Sequence, residues 1–189
     1  IFIDVEINDI VIRDSIVLIA GHLQYTEPSF ALYKSEDYGK TWSKTSHPDS
    51  CGAGSIIYDV DSPSDSTIYT LGTCLGWSLY KSIDNGDNWT YLSEGLSRME
   101  IPPWINSRMM HFFTDNMGII GNLKTTDGGN SWNEIEDLAE NFPYTFAFVK
   151  GSQLGFCSSK GKILKTLNNG DNWTVVYEDE NQFFSEIFF

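Results

Sequence analysis

Ser35-Glu36-Asp37-Tyr38-Gly39-Lys40-Thr41-Trp42 is repeated, with variations, three more times in this 189-residue chain. The copies are Ser82-Ile83-Asp84-Asn85-Gly86-Asp87-Asn88-Trp89, Thr125-Thr126-Asp127-Gly128-Gly129-Asn130-Ser131-Trp132 and Thr166-Leu167-Asn168-Asn169-Gly170-Asp171-Asn172-Trp173. They begin at residues 35, 82, 125 and 166, at intervals of 47, 43 and 41 residues. The segments between them are short β-branched and aromatic runs bounded by Gly, Asp, Asn, Ser and Pro, which read as strands. A repeat of about 40–50 residues made of several short strands predicts a propeller array.

Each position of the octapeptide has a physical reason. Apolar residues and a lysine lead into it: Leu32-Tyr33-Lys34, Leu79-Tyr80-Lys81, Leu123-Lys124 and Ile163-Leu164-Lys165. This reads as a strand running into a turn. The carboxylates of Asp37, Asp84 and Asp127 are expected to accept hydrogen bonds from backbone N–H groups of that turn, with the amide oxygen of Asn168 taking their place in the fourth copy. Gly39, Gly86, Gly129 and Gly170 supply a position where positive φ costs little. Trp42, Trp89, Trp132 and Trp173 begin the returning strand and offer large rings for burial against a neighbouring unit.

The phrase resembles the Asp-box, or BNR repeat, S/T-x-D-x-G-x-T/S-W. The matched positions are Ser35, Asp37, Gly39 and Trp42; Ser82, Asp84, Gly86 and Trp89; Thr125, Asp127, Gly129 and Trp132; and Thr166, Asn168, Gly170 and Trp173. The second and fourth copies carry Asn88 and Asn172 where the family has Thr or Ser. The resemblance implies a β-propeller in which the octapeptide joins the third and fourth strands of a blade, on the rim away from the ligand face. It therefore implies a structural role for these residues.

With the octapeptides as fixed points, each unit reads as four antiparallel strands. These are expected at 3–11, 15–22, 29–34 and 41–44; at 55–60, 67–73, 78–81 and 88–92; at 107–113, 118–120, 123–125 and 131–135; and at 144–149, 153–157, 163–166 and 172–177. The blades then span about 1–46, 54–93, 107–137 and 144–178. The acidic stretch 133–140 is the one candidate helical turn. Residues 182–189, with the run Phe183-Phe184-Ser185-Glu186-Ile187-Phe188-Phe189, read as the first strand of a further blade. The expectation is an all-β fragment of a six- to eight-bladed propeller, with the remaining blades in the same polypeptide. A closed four-bladed ring with an overhanging end is the alternative.

Composition narrows the function. The net charge is −14, from 26 acidic and 12 basic residues, and the lysines are dispersed. That field opposes binding to a phosphate backbone, so nucleic acid is not an expected partner. No apolar run approaches the roughly 20 residues a membrane helix requires. Three cysteines without C-x-x-C spacing, and His22, His47 and His111 far apart, give no metal site and no cofactor motif. Cys51 and Cys74 are expected to sit opposite each other across a hairpin and to form a disulfide, leaving Cys157 unpaired.

The face opposite the octapeptides carries the longest connection, 93–106, and the two tryptophans outside the repeats, Trp77 and Trp104. With Arg98 and Glu100 they form the candidate ligand face. A sialidase, the best-known carrier of the repeat, requires three arginines for the substrate carboxylate; this chain has Arg13, Arg98 and Arg108 in other contexts. Two compact units, Phe112-Phe113-Thr114-Asp115-Asn116-Met117-Gly118-Ile119-Ile120-Gly121-Asn122 and Phe146-Ala147-Phe148-Val149-Lys150-Gly151-Ser152-Gln153-Leu154-Gly155-Phe156, resemble blades of photosystem II assembly-factor-type propellers. That likeness implies binding rather than catalysis. The expected function is a non-catalytic interaction or scaffold module of a secreted, periplasmic or cell-surface protein, binding a glycan or protein. A sialidase-like glycoside hydrolase with catalytic residues partly outside this chain is the alternative.

Overall fold

Among the described residues, sixteen short strands form four separate four-stranded antiparallel sheets, each ordered as its strands occur in the sequence. The computed structural model describes residues 5–23, 30–46, 56–73, 76–92, 96, 108–184, 186 and 187. The first sheet is β1 (Val5–Arg13), β2 (Ile16–Leu23), β3 (Phe30–Ser35) and β4 (Ser43–Lys44). The second is β5 (Ile56–Asp61), β6 (Ile68–Thr73), β7 (Trp77–Ser82) and β8 (Thr90–Tyr91). The third is β9 (Met110–Phe112), β10 (Gly118–Ile120), β11 (Leu123–Thr125) and β12 (Asn133–Glu134). The fourth is β13 (Thr145–Phe148), β14 (Gly155–Ser159), β15 (Lys162–Thr166) and β16 (Thr174–Glu178).

Each of the sixteen strands expected in the four units has a counterpart among the described residues. The fourth strand of each sheet starts two residues later than expected, and the cause is local. The N–H of the seventh octapeptide residue is bonded to the third residue's side chain, as in Thr41 to Asp37 Oδ1 at 2.8 Å, so it cannot join a strand ladder. The acidic stretch does turn once, as α1 (Glu136–Ala139), anchored by the fully buried Leu138. Among the described residues of the tail, 182–184, 186 and 187 belong to no strand.

The chain divides into two units, Ile1–Arg98 and Met99–Phe189. Within the first, Leu18, Ala20 and Leu32 of the first sheet close on Ile57, Val60, Ile68 and Tyr80 of the second, with Trp89 packed alongside. Polar contacts accompany this apolar seam: Asn8 Nδ2 donates to the Ile57 carbonyl at 2.7 Å, and Val60 N–H donates to Asp9 Oδ2 at 3.1 Å. Within the second unit, Ile119, Ile135 and Leu138 pack against Phe146, Cys157, Leu164 and Trp173. Each fully buried aliphatic side chain contributes about 1.5–3 kcal/mol. Both cores therefore form between consecutive sheets, and a single sheet holds only half of one.

Candidate functional site

The octapeptides fold into one repeated turn. Ser35 Oγ accepts from Gly39 N–H at 2.8 Å and donates to Asp37 Oδ1 at 2.9 Å. Asp37 in turn accepts from Thr41 N–H at 2.8 Å and from the Thr41 hydroxyl at 2.6 Å. Trp42 Nε1 closes the turn on the Gly39 carbonyl at 3.0 Å. Ser82, Asp84, Asn88 and Trp89 repeat the pattern, as do Thr125, Asp127, Ser131 and Trp132. In the fourth turn Asn168 Oδ1 takes the backbone N–H of Asn172 at 3.0 Å, and Thr166 Oγ1 binds Gly170 N–H at 3.0 Å.

The three carboxylates are held well below their usual range, to about 2, by these donors. The largest cause is the side-chain donor at the seventh position: Thr41, Asn88 or Ser131. Their acceptor capacity is already engaged by the turn itself, which leaves them poor candidates for acid catalysis. Each turn is also tied to the first hairpin of its own sheet through the fourth residue. Tyr38 N–H donates to the Ser15 carbonyl, Asn85 to Ser66, Gly128 to Asn116 and Asn169 to Gln153, at 2.8–3.2 Å. The octapeptides and the first hairpins thus share one end of the sheets.

At the other end, Trp77 opens β7, half-buried, with its ring 5.5 Å from that of Tyr58. Trp104, Arg98, Glu100, Cys51 and Cys74 lie outside the described residues. Cys157 is buried and unpaired, and burial pushes its thiol far up, which disfavours the nucleophilic thiolate.

The second unit adds a cavity that the sequence did not single out. It has a volume of about 240 Å³ and is lined by Arg108, Met110, His111, Phe146, Phe148 and Ile187, among others. Arg108 precedes β9, at the end away from the octapeptides, and its carbonyl accepts from Phe146 N–H at 3.0 Å. His111 stacks on Phe148 at 4.6 Å and meets Phe113 edge-on at 4.9 Å. Arg108 and His111 were legible only as an isolated arginine and an ordinary strand histidine. What brings them to Phe146 and Phe148 is the packing of β9 against β13 of the next sheet, which no local motif encodes. A wider groove of about 390 Å³, with Lys124, Glu134, Glu136 and Asp171 on its walls, lies on the octapeptide side. Among the described residues no cluster of His, Cys, Asp and Glu is arranged to hold a metal ion.

No protein-family model matches this chain, and no curated protein matches it by sequence. Solved structures do. A GH74 enzyme of Niastella koreensis superposes with a TM-score of 0.63 at 14% identity, over 94% of this chain and 31% of that one. YCF48 bound to D1 peptide gives 0.55 at 14% identity, over 84% of this chain and 51% of that one. The GH74 xyloglucanase from Xanthomonas campestris gives 0.61 at 13% identity, over 90% and 30%. The fold is a β-propeller. At these identities the likeness carries the fold alone, and the chain spans between about a third and a half of the structures it matches.

Proposed function

We propose that this chain is a non-catalytic binding module within a larger propeller of BNR type, carried by a secreted or cell-surface protein. Its ligand, a glycan or a protein segment, docks at the end of the sheets opposite the octapeptide turns. The observation that carries this reading is the cavity lined by Arg108, His111, Phe146 and Phe148, which reaches that end at Arg108 and extends along the sheets to Phe148, beside the first hairpin of the fourth. Its volume suits one sugar ring or one large side chain. Aromatic faces supply apolar contact to either, and the Arg108 guanidinium supplies a directional charge-assisted donor. YCF48, which shares the fold, has been solved with a peptide bound, which supports a protein ligand. The net charge of −14 favours a neutral or basic partner over an anionic one.

Glycan and peptide arrays probed with the purified chain test the reading. Capture by a defined ligand class is expected, lost in Arg108→Glu and kept in Asp84→Ala wherever the variant remains folded. The reverse pattern, with Asp84 essential and Arg108 dispensable at full stability, would sink it. A second reading, glycoside hydrolysis, is favoured by the likeness to GH74 enzymes. Turnover of xyloglucan or of a fluorogenic sialoside, abolished by replacing one acidic residue, would establish it in place of the first.

A further inference from the structure

The fourth strand of each sheet is its outer edge, paired on one side only. Among the described residues three of these strands are brief: β4 is Ser43–Lys44, β8 is Thr90–Tyr91 and β12 is Asn133–Glu134. Such short edges give an incoming strand little to pair with. β16 departs from them. It runs Thr174–Glu178, pairs with β15 alone and exposes every one of its residues. Val175, Val176 and Tyr177 are 40%, 50% and 47% exposed. The strand contains no lysine and no proline, the residues that commonly guard an edge. Its one protection is a bulge: Leu164 stands opposite Val175 and Ile163 opposite Tyr177, which leaves Val176 as the extra residue.

The side chains of β16 make their contacts on the faces of the sheet. Tyr177, opposite Ile163, meets the Phe184 ring edge-on at 5.7 Å. Glu178, opposite Lys162 on the other face, lies 3.5 Å from its ammonium. No backbone partner for residues 174–178 outside β15 occurs among the described residues. A strand paired on one side leaves alternate N–H and C=O groups pointing away from its neighbour. The strand leads into Asp179 and Glu180, and Glu180 is exposed with no cation beside it among the described residues. β16 is three strands away from β13, which walls the cavity. Further blades of a propeller stack on the faces of a sheet, so an outer edge stays at the perimeter whatever the blade number.

We infer that the free edge of β16 takes an extended basic peptide segment of a partner protein, which adds to the fourth sheet as a further strand. Main-chain hydrogen bonds supply the affinity, and alternate side chains supply the selectivity. Apolar residues of the segment lie beside Val175 and Tyr177, one on each face. An antiparallel segment brings its N-terminal end to Glu178, Asp179 and Glu180, and arginine or lysine there answers those carboxylates. The net charge opposes the other natural occupant of an edge, the β16 of a second copy, because each copy carries −14. The inference does not rest on the cavity or its ligand.

Fluorescence anisotropy of a short labelled peptide, alternating valine and threonine and led by arginines, tests this on the purified chain. Saturable binding is expected. A strongly acidic chain attracts any basic peptide, and backbone methylation separates that attraction from strand pairing. Methyl groups on alternate peptide nitrogens leave charge and side chains unchanged. One alternating set faces β16 and should abolish binding, while the other faces solvent and should change it by less than about twofold. Glu180→Lys, at an exposed position, should weaken binding by about two- to fivefold. Absence of saturable binding, or equal binding by the two methylated peptides, overturns the proposal. Binding that Glu180→Lys leaves unchanged overturns the choice of a basic segment. Sedimentation of the wild-type chain as a dimer that Val176→Lys dissociates also overturns it, because a second copy then occupies the edge.

Discussion

Asn168 Nδ2 donates to Asn172 Oδ1 at 3.1 Å, so the fourth octapeptide is closed by a pair of amides. The other three are closed by a carboxylate that accepts from a hydroxyl or an amide, as Asp84 Oδ2 accepts from Asn88 Nδ2 at 2.7 Å. An amide at the seventh position serves both arrangements, because it can present either its N–H or its oxygen. Only the carboxylate versions titrate. Their pKa is lowered from 3.8 to about 2 in the folded chain, so between those values the folded state binds fewer protons than the unfolded one. The stability this contributes is fully present above about pH 4 and is lost as pH falls through about 2. Asp84→Asn converts the second turn to the fourth type. It is expected to melt below wild type at pH 7, with the gap closing toward pH 2. Thermal melts across that range check it, and a gap that stays constant or widens in acid refutes it.

Tyr38 and Asn85 share a left-handed backbone, but only one of them suits it. Tyr38 has φ of 59° and a side chain 72% exposed, so it bears the steric cost of this region with little contact in return. The other copies place Asn85, Gly128 and Asn169 there, residues that enter it readily. Tyr38→Asn keeps the N–H bond to the Ser15 carbonyl and should raise stability by about 0.5–1 kcal/mol. Urea unfolding measures it; a variant no more stable than wild type would mean that the ring has an unrecognised role.

The same comparison separates what was legible in the sequence from what was not. Strand order and number followed from the octapeptide spacing and from β-branched runs such as Ile56–Asp61 and Ile68–Thr73, because hairpins between sequence neighbours are local. The left-handed fourth position was written in Asn85, Gly128 and Asn169, and the aromatic at Tyr38 concealed it. The cavity was not legible. Arg108, His111 and Phe148 meet only through packing between two sheets, and the spacing of one strand carries no information about the register of another. Of the expected ligand face, only Trp77 falls within the described residues.

Lys34 and Lys124 act at sheet junctions through backbone acceptors, the Asn85 carbonyl at 3.0 Å and the Asn169 carbonyl at 2.9 Å, so their removal should be felt as lost stability. Lys124→Met removes the ammonium that lies 5.9 Å over the Phe113 ring and leaves the Asn169 carbonyl without its donor. The expected cost is about 1–3 kcal/mol, with Lys34→Met in the same range. Lys165→Met, at a position for which the described residues show no side-chain partner, should cost less than either. Urea titrations of the three variants provide the check. Equal losses at all three positions would show that the lysines act through their own sheets.

Gly155 lies directly under the Phe148 ring, and Gly118 stands in the same relation to Phe112; in both sheets the pair is also a register pair across the first hairpin. A methyl group at either glycine collides with the ring above it, which must move. The cost expected of Gly155→Ala is about 1–3 kcal/mol, as for overpacking a core, and Gly118→Ala should cost about the same. Their effects on binding should differ. Phe148 walls the cavity and stacks on His111, so displacing it deforms the site, whereas Phe112 is buried at 2% exposure and does not line it. Ligand capture on the arrays is therefore expected to fail in folded Gly155→Ala and to persist in folded Gly118→Ala. Equal capture by both variants would place the binding surface elsewhere on the chain.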